Sequence, residues 1–327
     1  MENKILQVIE SLDSISKFGQ ESVLTFGTFD GVHIGHRAII KEIVQQAQEL
    51  GLVKEQGSCR GSTSLLPSVV LSFDPHPMYF LSPEECPPIL TTKAKKAELL
   101  KEMGVDMVIF AKLEEQISEM SDIDFVEQIL VQKLRVKSVV VGYDCTFGRN
   151  RTGDSNLLEK LGRQYNFAVK VIAPQKFCGV VVSSTRIRNA IAQNELKLAE
   201  QLLGRRYSIY GEVIKGKGIG REIGFPTANI DAGNQMLPPS GIYAIRAKLN
   251  EKMFGGVLNM GVRPTFGDNQ FQIEAYLFDF DGSIYGYTIE IFFIEKIRDE
   301  IAFSCVEELI SQIKRDVEKA RKILEID

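Results

Sequence analysis

Four near-continuous apolar runs constrain this chain most: Ser22–Phe26, Ser68–Phe73, Asp106–Phe110 and Lys137–Gly142. Each lacks the polar alternation of a strand with one wet face, so each is expected to be buried on both faces. Between them lie Arg37 to Leu50, Thr91 to Met103 and Ser121 to Leu134, whose apolar residues recur at helical spacing. In the last of these, Phe125, Val126, Ile129 and Leu130 form one stripe. Strands alternating with helices predict a parallel α/β sheet covered on both sides. Lys54 to Pro67 is rich in Gly and Ser, has no periodicity and reads as a surface loop.

The pattern changes after a helix predicted over Ile187 to Leu203. Tyr207 to Ile214, Ile242 to Leu249, Met253 to Asn259, Phe271 to Phe278 and Tyr287 to Ile294 read as short strands separated by Gly-rich turns. Their close spacing predicts a small antiparallel β-barrel. A last helix, Val306 to Leu324, carries Leu309, Ile313, Val317 and Ala320 on one face. A length of 327 residues suits two domains, expected at 1–187 and 188–327, with no internal repeat.

Charge and hydropathy exclude several functions. A net charge of −4 without a long basic run argues against nucleic-acid binding, which needs clustered Lys and Arg. No apolar run is long enough to cross a bilayer, and the N-terminus has acidic residues and no secretory segment, so a cytoplasmic protein is expected. The cysteines at 59, 86, 145, 178 and 305 are scattered, without a C-x-x-C pair, and read as reduced thiols. Nothing in the sequence selects an oligomeric state.

The chemistry-bearing residues collect at the ends of predicted strands. Gly27-Thr-Phe-Asp-Gly-Val-His-Ile-Gly-His36 follows the first strand and opens a helix, where free N–H groups and the helix dipole favour a phosphate chain. His33 and His36, three apart, point from one face. Gly27, Gly31 and Gly35 allow close approach of a nucleotide. His76, the third of only three histidines, lies in Asp74-Pro-His-Pro77 just past the second strand. Ser183 and Ser184 suit a helix N-cap, and Arg188 lies one turn further in. Taken singly, each has a structural reading: a capping His33, a turn histidine at 76, an ordinary Ser N-cap, a hairpin for the glycines of Gly216 to Asn229, a solvated strand position for Glu274, a surface ion pair for Arg298.

Taken together, the motifs resemble a known family. GTFDGVHIGH resembles the nucleotidyltransferase signature as bacterial FAD synthetases carry it, and FDPHP resembles that family's second signature. Gly142–Gly148 resembles its G-x-D-F-x-F-G loop, with Cys145 where an aromatic is usual; Val182–Arg188 resembles its I-S-S-T-x-x-R segment. The resemblance implies a Rossmann-like nucleotidyltransferase domain that transfers AMP from ATP to FMN. It implies ATP contacts at Gly27, Phe29, Asp30, His33, His36, Ser184, Thr185 and Arg188, and flavin contacts at Pro75, His76, Pro77 and Asp144. His33, His36 and Arg188 would stabilise charge on the triphosphate.

In the second half, Pro226-Thr-Ala-Asn229 resembles the P-T-A-N motif of riboflavin kinases. That resemblance implies Mg²⁺ held by Thr227 and Asn229 with ATP phosphates, further ATP contacts at Gly216, Gly218, Gly220 and Pro226, and flavin contacts at Glu274 and Arg298. Glu274 would be the general base for the ribityl hydroxyl. Tyr276 stands where a histidine is often found. With motifs in order from about residue 20 to the C-terminus, the expected activity is two-step conversion of riboflavin through FMN to FAD, with ATP as co-substrate. Two rivals are a chain with one live activity and a non-catalytic flavin- or nucleotide-binding protein. A cytidylyl- or pantetheine-type transferase leaves the P-T-A-N half unexplained.

Overall fold

The protein is described by a computed structural model covering residues 5–15, 18–57, 66–74, 86–112, 117, 119–216, 218–263 and 268–326, without the side chains of 13, 52–57, 263 and 268–270. It divides into two compact units, Met1–Pro87 with Lys93–Ser183, and Pro88–Thr92 with Ser184–Asp327.

The first unit is built on a parallel sheet of six strands: β1 (Gln7–Ile9), β2 (Ser22–Gly27), β3 (Ser68–Phe73), β4 (Met107–Ala111), β5 (Val136–Gly142) and β6 (Ala168–Ile172). Their spatial order is β1-β4-β3-β2-β5-β6. The apolar runs are buried on both faces because alternate residues serve opposite layers. Val23, Val70, Val108 and Val140 pack with Ile39, Ile40 and Ile43 of α1 (Ile34–Gly57). Leu24, Leu71, Ile109 and Val139 pack on the other side with Phe125, Val126, Ile129 and Leu130. β2 lies between β3 and β5, so the loops after these strands open on one edge of the sheet, where ligands of open α/β sheets collect.

Two helices differ from expectation. Ser121 caps a single α turn, Asp122–Asp124, and a π-helix, Phe125–Lys133 (α3), follows; Leu134 N–H donates to Ile129 O, five residues back. The helix expected over Ile187 to Leu203 is two: Ser184–Ala192 (α5) and Leu196–Leu203 (α6). Asn194 sits between them in the left-handed region at φ 58°, which Asn tolerates better than most residues. The other helices of the first unit are α2 (Lys93–Glu102) and α4 (Ser155–Tyr165). Part of the expected 54–67 loop continues α1 to Gly57, and residues 58–65 lie outside the described residues.

The second unit is a closed antiparallel barrel of β7 (Ser208–Ile214), β8 (Ala228–Asp231), β9 (Gly241–Leu249), β10 (Lys252–Arg263), β11 (Asp268–Leu277) and β12 (Thr288–Arg298), ordered β7-β8-β11-β10-β9-β12. The expected strands are present with small shifts. β8 was not legible, since Ala-Asn-Ile-Asp alternates over only four residues and Ile230 is its one large apolar side chain. The C-terminal helix α7 (Val306–Leu324) seats Ala320 and Leu324 against Ile242, Ala244, Phe278 and Ile297.

Candidate functional site

In the first unit the decisive element is the turn between β2 and α1. Its backbone takes positive φ at Phe29 (48°), Gly31 (85°) and Val32 (40°). For a β-branched residue such as Val32 this is a strained conformation, typical of ligand-gripping turns. Phe29, Asp30 and His33 are buried, and His36 is half-buried. The imidazoles of His33 and His36 stack with centroids 3.6 Å apart and planes 17° apart. The backbone N–H of His36 donates to His33 Nδ1 at 3.3 Å, so that this ring nitrogen faces the start of the helix as an acceptor. A Cβ on residue 35 would lie 3.0 Å from His33 Cε1; Gly35 is what lets this ring lie flat on the turn. Phe29 meets the edge of His36 at 5.3 Å.

Gly27, Phe29, Asp30, His33 and His36 are thus one constellation. Asp144 lies exposed past β5, its Oδ1 folded back towards Gly142. Next to it, burial first and then Asp144 and Asp154 push the Cys145 thiol up to about 12. Pro75, His76 and Pro77 lie outside the described residues. Ser184, Thr185 and Arg188 open α5 in the second unit; Arg188 Nε donates to Pro88 O at 2.8 Å.

In the barrel, register does the positioning. Asn229 of β8 and Asn259 of β10 are both direct cross-strand partners of Glu274 on β11, so the three side chains share one face. Thr227 joins them: its Oγ1 donates to Glu274 Oε1 at 3.5 Å. Glu274 is 7% exposed and therefore not the solvated strand residue it could have been. The Gly-rich segment lies directly on this group. A Cβ on residue 216 would fall 2.1 Å from Asn229 Nδ2, and one on residue 220 would fall 3.0 Å from Thr227 Oγ1. Gly218, at φ 77°, starts the helical turn Ile219–Glu222, and Pro226 is exposed beside it.

Thr227, Asn259 and Glu274 border a cavity of about 170 Å³ walled by Ile223, Phe225, Tyr276, Phe303, Leu309 and Ile313. Apolar walls with a few convergent polar groups suit a flat ring with a polar tail. Arg298 and Asp316 also line it, as an ion pair of a half-buried guanidinium with a buried carboxylate rather than a surface pair. Thr227 and Asn229 offer neutral oxygens, a donor set that suits a hard cation completed by phosphate and water. Among the described residues no cluster of three His, Cys, Asp or Glu could hold a metal alone.

Sequence reasoning gave no role to Asn259 or Asp316. Cross-strand register assigns the first, and a helix packed on the barrel brings the second.

Two family models divide the chain: FAD synthetase matches residues 15–186, and riboflavin kinase matches residues 203–324. A protein of Haemophilus influenzae described as bifunctional riboflavin kinase/FMN adenylyltransferase is 38% identical over 319 residues, 97% of this chain and 98% of its own length. Its counterpart in Escherichia coli K12 is 38% identical over 321 residues, 97% of each chain. A solved structure described as a macrolide-efflux protein of Streptococcus pneumoniae superposes with a TM-score of 0.78 at 27% identity, covering 97% of this chain and 99% of that one. No helix among the described residues is long and apolar enough to cross a membrane.

Proposed function

This chain belongs to the bifunctional riboflavin kinase/FMN adenylyltransferase family, and on that premise we propose how its residues divide the two reactions. It phosphorylates riboflavin to FMN and adenylylates FMN to FAD, with ATP as co-substrate of each step. We assign adenylyl transfer to residues 1–187 with the addition of Arg188, and phosphoryl transfer to the rest of residues 188–327.

For phosphoryl transfer, the ribityl 5′-hydroxyl attacks the γ-phosphorus of ATP, the bond to the β-phosphate oxygen breaks, and ADP leaves. Glu274 takes the hydroxyl proton, and Thr227, by its contact with Glu274, holds the carboxylate in place. Thr227 and Asn229 would hold Mg²⁺, whose contribution when bound is to neutralise charge on the ATP phosphates. Gly216, Gly218, Gly220 and Pro226 shape the nucleotide side, while the apolar cavity accepts the flavin ring beside Arg298.

For adenylyl transfer, an FMN phosphate oxygen attacks the α-phosphorus of ATP and pyrophosphate leaves. His33 and His36 stabilise the developing negative charge, and Ser184, Thr185 and Arg188 bind the departing phosphates. Gly27, Phe29 and Asp30 shape the ATP side of that turn. Pro75, His76, Pro77 and Asp144 are assigned to the flavin side. This chemistry calls for no nucleic-acid or membrane partner, and ATP supply fits a cytoplasmic enzyme.

The observation that supports the reading most is the grouping of Thr227, Asn229 and Glu274 on one barrel face. One incubation with riboflavin, ATP and Mg²⁺, resolved by chromatography, tests it. The wild type should yield FMN and then FAD, and Glu274→Gln should yield neither from riboflavin while still converting added FMN to FAD. Equal FMN formation by both proteins would remove Glu274 as the base.

A further inference from the structure

α2 begins against its own dipole. Lys93, Lys95 and Lys96 occupy its first turn, where positive charge is unfavourable, and Lys95 and Lys96 are buried. Lys93 and Lys95 meet carboxylates, Glu10 and Glu98. Lys96 is different. It is 5% exposed, and among the described residues its Nζ donates to the carbonyl of Thr28 at 2.7 Å and to Ser72 Oγ at 3.0 Å. Ser72 Oγ also donates to Thr28 O at 3.2 Å, which closes a triangle of polar groups.

Thr28 is the first residue of the strained turn, and Ser72 is the β3 partner of Gly27, so the triangle sits where β2 and β3 leave the sheet. Asp30 of the turn and Asp74 beyond β3 favour the charged ammonium, Lys93 opposes it, and the ring of Phe110 on β4 lies 5.9 Å away. Burial lowers the pKa of this lysine, and the two carboxylates resist that shift. A buried ammonium is costly, and an apolar residue would fill the same space without that cost if packing were its only task. A local rule broken twice, at a helix start and in a core, is expected where function requires it.

We propose that Lys96 is a positioning residue for adenylyl transfer: it clamps the Thr28 carbonyl to Ser72 and so fixes the turn that presents His33 and His36. This rests on assigning that turn to the adenylyl-transfer site. Without the ammonium, Thr28 O loses its strongest donor and the turn relaxes, carrying the stacked imidazoles away from the reacting phosphate.

The test is steady-state conversion of FMN and ATP to FAD by the full chain, for wild type, Lys96→Met, Lys96→Arg and His36→Ala, with riboflavin phosphorylation and thermal unfolding measured on the same preparations. Lys96→Met should lose about a hundredfold in kcat/KM for ATP, the scale of a misplacement of about 1 Å. Riboflavin phosphorylation and the unfolding temperature should stay near wild type, and Lys96→Arg should recover part of the loss, since guanidinium also donates to both oxygens. Wild-type adenylyl transfer by Lys96→Met, with His36→Ala inactive, would overturn the role of Lys96 and leave the site assignment standing. Full activity of His36→Ala would remove the site assignment and the proposal with it. Loss of both activities and a lowered unfolding temperature in both Lys96 variants would make the lysine structural only and also overturn the proposal.

Discussion

The carboxylate of Asp316, in the middle of α7, is gripped by the guanidinium of Arg298: Nη2 donates to Oδ2 at 2.6 Å and Nε to Oδ1 at 3.0 Å. Gln312 donates to the same carboxylate at 2.8 Å, and Arg298 Nη1 donates to Asp299 O at 2.8 Å. Arg298 therefore ties the end of β12, which borders the apolar cavity, to the last helix.

Asp316 is only 4% exposed, so its loss strands a guanidinium in a mostly dry setting. Asp316→Ala is expected to cost about 3–5 kcal/mol of folding stability and to raise KM for riboflavin, checked by denaturant unfolding and kinase kinetics. Replacing both partners with apolar residues should restore much of the stability without restoring the KM. A single-variant cost under about 1 kcal/mol would mean that the pair is solvated in practice.

Gly216 is required by proximity rather than by dihedral angle. A methyl there meets the Asn229 amide at 2.1 Å, so Gly216→Ala should displace that side chain. Riboflavin phosphorylation should fall at least about tenfold, on the scale of misplaced phosphate-binding groups, with adenylyl transfer unaffected. Unchanged kinase kinetics would show that Asn229 moves without consequence.

His36→Ala removes one ring of the stacked pair and leaves the barrel untouched. FMN should accumulate from riboflavin and ATP while FAD formation drops by roughly two to three orders of magnitude, as for other preorganised charge stabilisers. Simultaneous loss of FMN would contradict independent sites.

The Cys145 thiol, pushed up to about 12, holds a thiolate share of only about one in ten thousand at pH 8. Iodoacetamide should modify the exposed Cys178 and Cys305 first and the half-buried Cys145 far more slowly, a pattern that mass spectrometry of the labelled peptides resolves. Cys145 labelling at the rate of Cys178 would refute the suppressed thiolate.

The four central strands of the first half were legible because a parallel sheet with two covered faces demands unbroken apolar runs, as Val69-Val-Leu71 and Val139-Val-Val141 supply, whereas the edge strands β1 and β6 are largely exposed, carry no such run and were not. The last helix was legible to the residue, its apolar stripe being continuous from Leu309 to Ala320. The break between α5 and α6 was not, since one left-handed Asn194 interrupts a periodicity that its neighbours keep.

By itself the sequence determined which residue types stand at strand ends and helix starts: the histidines of the first turn, the glycines before Asn229, the alternation that sets the fold class. Those properties are local, fixed by dihedral preference and by spacing along the chain. Only the tertiary structure decided that Glu274 is buried between Asn229 and Asn259, that Arg298 closes on Asp316, and that Lys96 reaches Thr28, 68 residues away in sequence. Cross-strand register and helix docking are set by the packing of whole layers, and no short window of sequence carries the energy that chooses them.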